Sequence, residues 1–248
     1  MTHAFILGCR VDAVDATEAV ARIRELLRAQ SPALVVTLGT EMIVRAQHDE
    51  RFRAAVNASA LSLSDTVGVM FAARFRGVRI RERVAGIDLL EPLCRAFARD
   101  GTPVFFLGSK DNTAARAADA LRARHPGLIV AGVRDGYFAP SDDAAVAAAI
   151  ARSGARVLFA GLGSPRQELW LAEHLKETGC AVGIGIGGSL DVLAGNVQRA
   201  PALWQRAHAE WLYRLVREPR RWRRQLALPR FVWLVLRDQA HLALPRRL

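Results

Sequence analysis

Asp65 closes an apolar run in LSLSDTVGV (residues 61–69), where a strand would end and a turn begin. A carboxylate at that junction can face a cleft and take a proton from a hydroxyl within hydrogen-bond reach. It can equally cap the next helix, DTVGVMFAARF, since Asp is a favoured N-cap. TLGTEM (37–42) poses the same question for Thr37 and Thr40, with Thr40 the expected cap.

GLGSPRQELW (161–170) leaves the apolar run ARVLFA through Gly161, Gly163, Ser164 and Pro165 and places Arg166 and Gln167 on the first turn of a helix. Glycines let a backbone approach a ligand, and a helix start offers free N–H groups and a positive dipole end, so an anion such as a diphosphate suits the turn. A plain reversal of the chain would use the same residues. GIGIGGSLDVLAGNVQRAP (183–201) adds Gly187 and Asp191. Its Gly183, Gly185 and Gly188 imitate a dinucleotide fingerprint, but they lie inside the strand, and no acid at a second strand's end follows about 20 residues on. An NAD-dependent oxidoreductase is therefore disfavoured. Asp191 can accept from a nucleobase N–H, or simply sit as an acid on a helix first turn.

The third chemical feature is charge. The chain carries +11, and residues 201–248 hold 11 Arg against Glu210, Glu218 and Asp238, or +8, while residues 1–200 are only +3. In EWLYRLVREPRRWRRQLALPRFVWLVLRD (210–238) the arginines alternate with Trp, Leu and Phe. That mixture suits an anionic membrane surface, where rings sit at headgroup depth and each Arg adds about 1 kcal/mol. A helix packed on the domain with a solvated face explains it too, and nucleic acid is the remaining rival. Metal spacings such as HExxH or paired CxxC are absent, as are a GxSxG elbow, a Walker loop and an Asp-x-Asp pair.

The elements that must position these residues alternate along the chain. Strands are expected at 4–8, 33–38, 60–64, 103–108, 127–132, 155–163 and 181–188, and helices at 15–30, 41–57, 86–100, 112–125 and 142–153. Continuous apolar strands between helices mean an α/β fold, a mostly parallel, Rossmann-like sheet covered by helices on both faces. Such sheets bind ligands at the carboxyl ends of their strands, and every candidate above stands at such an end. After residue 200 only helical patterns follow, which divides the chain into an α/β domain (1–200) and a basic helical appendage (201–248). The N-terminus lacks a signal-peptide pattern and no run reaches the 18 apolar residues of a membrane span. With three scattered cysteines, a cytoplasmic protein is expected.

GLGSPRQELW, GIGIGGSLDVLAGNVQRAP, EWLYRLVREPRR, RDGYF (134–138), TLGTEM and SDTVGV, in this order and spacing, resemble the WecG/TagA/CpsF glycosyltransferase family over nearly the whole chain. The resemblance implies transfer of a sugar, with inversion, from a UDP-sugar to a polyprenol-diphosphate-linked saccharide at the inner face of the plasma membrane, in cell-surface polysaccharide synthesis. It implies Asp65 as the base and Thr37 beside the sugar. Tyr137, Gly163, Ser164, Arg166, Gln167, Gly187 and Asp191 fall around the UDP. Arg214, Arg217, Arg220, Arg221 and Arg224 fall in an appendage that closes over the site and meets the diphosphates. No metal, other cofactor or nucleic-acid partner is implied, and an apolar face freed by release of the tail would support a homo-oligomer. Two positions depart from the family pattern, which has Asn where Gly39 stands and Gly where Thr66 stands. A non-enzymatic nucleotide- or nucleic-acid-binding protein using its basic tail is the competing class.

Overall fold

The computed structural model describes residues 2–29, 31–201, 203–204, 210–217 and 222–243. The chain opens with a hairpin, β1 (His3–Ile6) and β2 (Cys9–Asp12), with Ile6 opposite Cys9. The single strand expected over 4–8 is thus corrected. Leu7 and Gly8 take φ of 49° and 80°, the left-handed pair that a two-residue hairpin turn requires. The buried Asp12 carboxylate ties the hairpin to the sheet by accepting from Ser62 N–H at 2.8 Å.

The α/β alternation then runs through α1 (Ala16–Leu26), β3 (Ala33–Leu38), α2 (Thr40–Ala46), α3 (Glu50–Ala58), β4 (Leu61–Ser64), α4 (Val67–Phe75) and α5 (Gly86–Asp100). It continues with β5 (Val104–Gly108), α6 (Thr113–Arg124), β6 (Val130–Arg134), α7 (Asp143–Ser153), β7 (Val157–Gly161), α8 (Arg166–His174), β8 (Val182–Gly185) and α9 (Ser189–Leu193). Beyond residue 201 come α10 (Glu210–Arg217), α11 (Trp222–Gln225) and α12 (Ala227–Ala243). The helix expected over 41–57 is two helices. Asp49 starts a second one by accepting from Phe52 N–H at 2.9 Å. The last strand is shorter than expected because Gly187 turns the chain at φ +54°.

Six strands form one sheet in the order β4-β3-β8-β7-β5-β6, every pair parallel. β3, β5, β7 and β8 are buried throughout and β6, at the edge, is partly exposed. This is why the inner strands read as continuous apolar runs and the edge does not. One face packs α2, α3, α4, α7, α8 and the buried Phe231 and Val235 of α12. The other packs α1, α5, α6 and α9 around Phe97, Phe106 and Phe159. The chain therefore leaves β5 for one face and the adjacent β7 for the other, which opens a crevice at their carboxyl ends. Among the described residues no helix is long and apolar enough to cross a membrane.

Candidate active site

Backbone meets backbone where the crevice opens. A Cβ on Gly108 would lie 2.4 Å from Gly161 O, one on Gly161 would lie 2.9 Å from Gly187 O, and one on Gly136 would lie 3.0 Å from Gly108 Cα. The ends of β5, β7 and β8 and the loop after β6 thus pack as closely as only glycines allow. Added Cβ atoms on Gly163, Gly187 and Gly188 would meet nothing within 4 Å.

Two of the sequence candidates are spent on holding this rim together. Arg166 donates to the carbonyls of Gly136 (2.7 Å) and Phe138 (2.9 Å), and its guanidinium lies 4.4 Å from the Phe138 ring centroid. It clamps the loop that presents Tyr137, whose side chain is 75% exposed. Gln167 is buried. Its Nε2 donates to Glu168 Oε1 at 2.7 Å and its Oε1 accepts from Gly187 N–H at 3.1 Å. In the structure both side chains bridge loops, Arg166 to the loop after β6 and Gln167 to the turn after β8. Glu168 is fully buried behind them, and burial pushes its carboxyl above the usual carboxylate range despite the bond from Gln167.

Asp191 lies on the first turn of α9 and accepts from Ser109 Oγ at 2.8 Å. Asn196 Nδ2 reaches both Asp191 Oδ1 (3.3 Å) and Thr113 Oγ1 (2.9 Å), which joins α9 to the start of α6. The loop between β5 and α6 was missed by sequence reasoning. Its Ser109 and Asp111 hold φ of 54° and 52°, and a signal was available in its short polar run, SKDN.

On the other side of β8, Thr37 Oγ1 donates to Gly185 O at 2.9 Å, so it pins β3 to β8. Asp65 extends the β3–β4 ladder by one residue through its N–H to Leu38 O, at 3.0 Å. It is not a cap: Thr66 holds the N-cap position of α4, and Gly39, rather than Thr40, holds that of α2. The half-buried Asp65 carboxylate stands beside Gly39, whose Cβ, if present, would lie 3.8 Å from Asp65 Oδ2 and 3.5 Å from Thr66 Cγ2. The two departures from the family pattern are therefore neighbours in space. The Thr66 methyl borders the room left where the pattern has Asn.

Arg83, which sequence reasoning passed over, interacts electrostatically with Asp65. It bonds Glu210 of α10 at 2.5 Å and Asp88 of α5 at 3.0 Å. Burial works against its charge, but Glu210, then Asp88 and Asp65, hold its pKa above the ordinary value. Arg199 joins the same acids, pairing with Asp88 and standing 3.5 Å from Glu210. Of the tail arginines, Arg217 donates to Gln198 at 3.3 Å and is exposed. Arg214 and Arg224 lie on α10 and α11. Arg220 and Arg221 lie outside the described residues. The three cysteines are buried, with the Cys9 thiol pushed up to about 11 and that of Cys94 to about 12 by desolvation, so neither is poised as a nucleophile.

From Asp65 on β4 to the crevice at β7 and β5 is three to four strand spacings, roughly 14–19 Å. One sheet edge thus carries a carboxylate at one end and a glycine-lined cradle with helix starts at the other. A model of the glycosyl transferase WecG/TagA/CpsF family matches residues 4–244. The chain belongs to this family. It is 35% identical over 213 residues to the N-acetylglucosaminyldiphosphoundecaprenol N-acetyl-beta-D-mannosaminyltransferase of Bacillus spizizenii, covering 86% of this chain and 82% of that protein. Membership of the WecG/TagA/CpsF family makes glycosyl transfer the chemistry against which the edge is to be read. The matched span also takes in α10 to α12, so the basic helices are included in the likeness.

Proposed function

We propose that this protein transfers a sugar from a UDP-sugar to a saccharide linked through a diphosphate to a polyprenol, in the synthesis of a cell-surface polymer. The observation that carries the reading is the single edge holding both the Asp65 carboxylate and the cradle at the β5/β7 crevice. The acceptor class is supported by the name of the Bacillus spizizenii relative, which acts on a diphosphoundecaprenol-linked sugar.

In this reading the diphosphate of the donor lies over the open face of Gly163, Gly187 and the start of α8. Its base and ribose lie toward Tyr137, Ser109 and Asp191, and its sugar points along the edge to Thr37 and Asp65. Asp65 takes the proton of the acceptor hydroxyl. The freed oxygen attacks the anomeric carbon from the face opposite the nucleotide, the bond to the diphosphate oxygen breaks, and UDP leaves with the sugar inverted. Charge accumulates on the departing oxygen, where fixed N–H dipoles stabilise it more than water does. Arg83 and the tail arginines supply positive charge from the appendage side without a metal ion.

Thermal-shift titration with UDP, GDP, NAD and a short DNA duplex, with and without Mg²⁺, tests the reading. A ligand at a hundred times its dissociation constant adds about 2.7 kcal/mol. Stabilisation by UDP that is unchanged by Mg²⁺ is the expected result. Stabilisation by NAD or DNA with UDP silent refutes it.

A further inference from the structure

Next to Asp65 stands a hydroxyl with nothing to bond. Thr66 Oγ1 is shut off from solvent and has no hydrogen-bond partner. Thr66 holds the N-cap position of α4, yet its side chain makes no capping bond. Val69 N–H, the usual target of such a cap, bonds the Thr66 carbonyl at 3.1 Å instead. A buried hydroxyl left unpaired costs stability, so its retention at this place calls for a reason.

The Thr66 methyl, by contrast, faces Gly39. It lies 3.5 Å from the point where a Cβ would stand on Gly39, and Asp65 Oδ2 lies 3.8 Å from the same point. Among the described residues, chain neighbours aside, no other atom comes within 4 Å of it. Gly39 has φ −103° and ψ 166°, extended backbone that any residue adopts. Neither backbone nor packing therefore demands a glycine here, and its effect is to leave room beside the Asp65 carboxylate. One staggered step of the Thr66 χ1, about 120°, would put Oγ1 where the methyl now stands, on the wall of that room. The step breaks no hydrogen bond. The neighbouring donors are already engaged, Thr37 Oγ1 by Gly185 O, Ser64 Oγ by Thr66 O and Gly39 N–H by Met42 Sδ.

We propose that Gly39 and Thr66 form a subsite that reads the transferred sugar. An uncharged substituent of that sugar, a hydroxyl or an amide, enters the room over Gly39 and bonds Thr66 Oγ1. The inference rests on the transferase reading above, in which the sugar reaches Thr37 and Asp65. The substituent is uncharged because a carboxylate in this room would stand against the Asp65 carboxylate, and like charges at that range repel. Thr66 thus acts as a specificity residue, and Asp65 keeps the proton transfer.

Titration calorimetry on the full chain tests it, with UDP, UDP-glucose, UDP-galactose, UDP-N-acetylglucosamine and UDP-N-acetylgalactosamine as probes. Thr66→Val keeps the shape and removes the hydroxyl. It should melt at or above wild type, because an unpaired buried oxygen is lost, and should bind UDP as wild type does. Its affinity for the UDP-sugar that wild type binds best should fall roughly three- to tenfold, the worth of one neutral hydrogen bond. Thr66→Ser should restore that affinity. Gly39→Ala places its Cβ at ordinary contact distance, so the fold accepts it, but it should weaken binding of the UDP-sugar and not of UDP. A larger loss with the acetamido sugars than with the hexoses identifies an amide occupant, and equal losses identify a hydroxyl. The subsite is overturned if Thr66→Val binds every UDP-sugar as wild type does, or if it melts lower and loses UDP and UDP-sugars alike. Failure of wild type to bind UDP at all removes the transferase reading, whereas normal UDP binding with sugar affinities indifferent to both positions removes the subsite alone.

Discussion

Gln167→Ala separates a brace from a ligand contact. In the structure the Gln167 amide spans two loops, donating to Glu168 Oε1 at 2.7 Å and accepting from Gly187 N–H at 3.1 Å. Truncation removes that donor from the buried Glu168 carboxyl, whose other oxygen has no partner of good geometry, and frees the Gly187 N–H. An orphaned buried polar group costs about 1–3 kcal/mol. Gly187 is only partly buried and lies at the low end, so the sum is about 2–4 kcal/mol. For a domain of this size that corresponds to a fall in Tm of roughly 5–15 °C. UDP affinity should fall as well, because Gly187 would no longer be held in its φ +54° turn. Urea or thermal unfolding followed by circular dichroism, with UDP titration at a temperature where the variant is folded, reads both effects. A variant that melts within about 3 °C of wild type yet loses UDP binding would refute the brace and make Gln167 a direct ligand contact.

Glu168→Gln should keep both the bridge and activity, and its stability relative to wild type should depend on pH. Because burial raises the folded-state pKa of Glu168 above its unfolded value, the proton it holds stabilises the fold fully at low pH and less as pH rises through the folded value. Paired melts across pH should therefore show the variant gaining on wild type as pH rises, and parallel curves would contradict the buried-acid assignment. Asp65→Asn should lower turnover by at least about 100-fold, the usual contribution of a positioned base, with UDP-induced stabilisation unchanged. Near-normal turnover in a coupled UDP-release assay would remove Asp65 from the chemistry. Gly39→Asn alone should crowd the Thr66 methyl and Asp65, whereas Gly39→Asn/Thr66→Gly should recover most of the lost stability. Additive losses in that double-mutant cycle would mean that the two positions are independent.

The fold was legible wherever burial follows local sequence. Inner strands such as VVTL and VFFL are apolar on both faces because helices cover both sides of a parallel sheet. α5, with Gly101 at its left-handed end, ran as expected over residues 86–100. The β1–β2 hairpin was not legible as such. Leu7 gives no hint of a positive φ, and the turn is enforced by pairing with residues 9–12 and by the hold of Asp12 on β4. The strand ends that carry the candidate residues were legible, since glycines and caps mark where strands give way to helices. What each side chain does there was not. Whether Arg166 and Gln167 face a ligand or the protein depends on carbonyls and N–H groups 20–30 residues away. Arg83 gained its tie to the appendage through Glu210, 127 residues further on.

The same logic ties the appendage to the chemistry. Glu210 opens α10, and its carboxylate faces Arg83, which is also held charged by Asp65 and Asp88. A cation shared between the appendage and the base can respond to a third negative group. When a diphosphate enters, Arg83 can turn from Glu210 toward phosphate, because a doubly charged group competes well with one carboxylate for a guanidinium. Losing that bond would loosen the start of α10, while Arg76–Asp238 and the buried Phe231 keep α12 on α2 and α4. Within the appendage, α12 is thus anchored by burial, whereas α10 is tied to the domain at Glu210, through Arg83 and Arg199. Weakening only the first contact, as in Glu210→Gln, should alter the KM for the lipid-linked acceptor more than the affinity for UDP. Equal effects on both substrates would place Glu210 in the general stability of the domain instead.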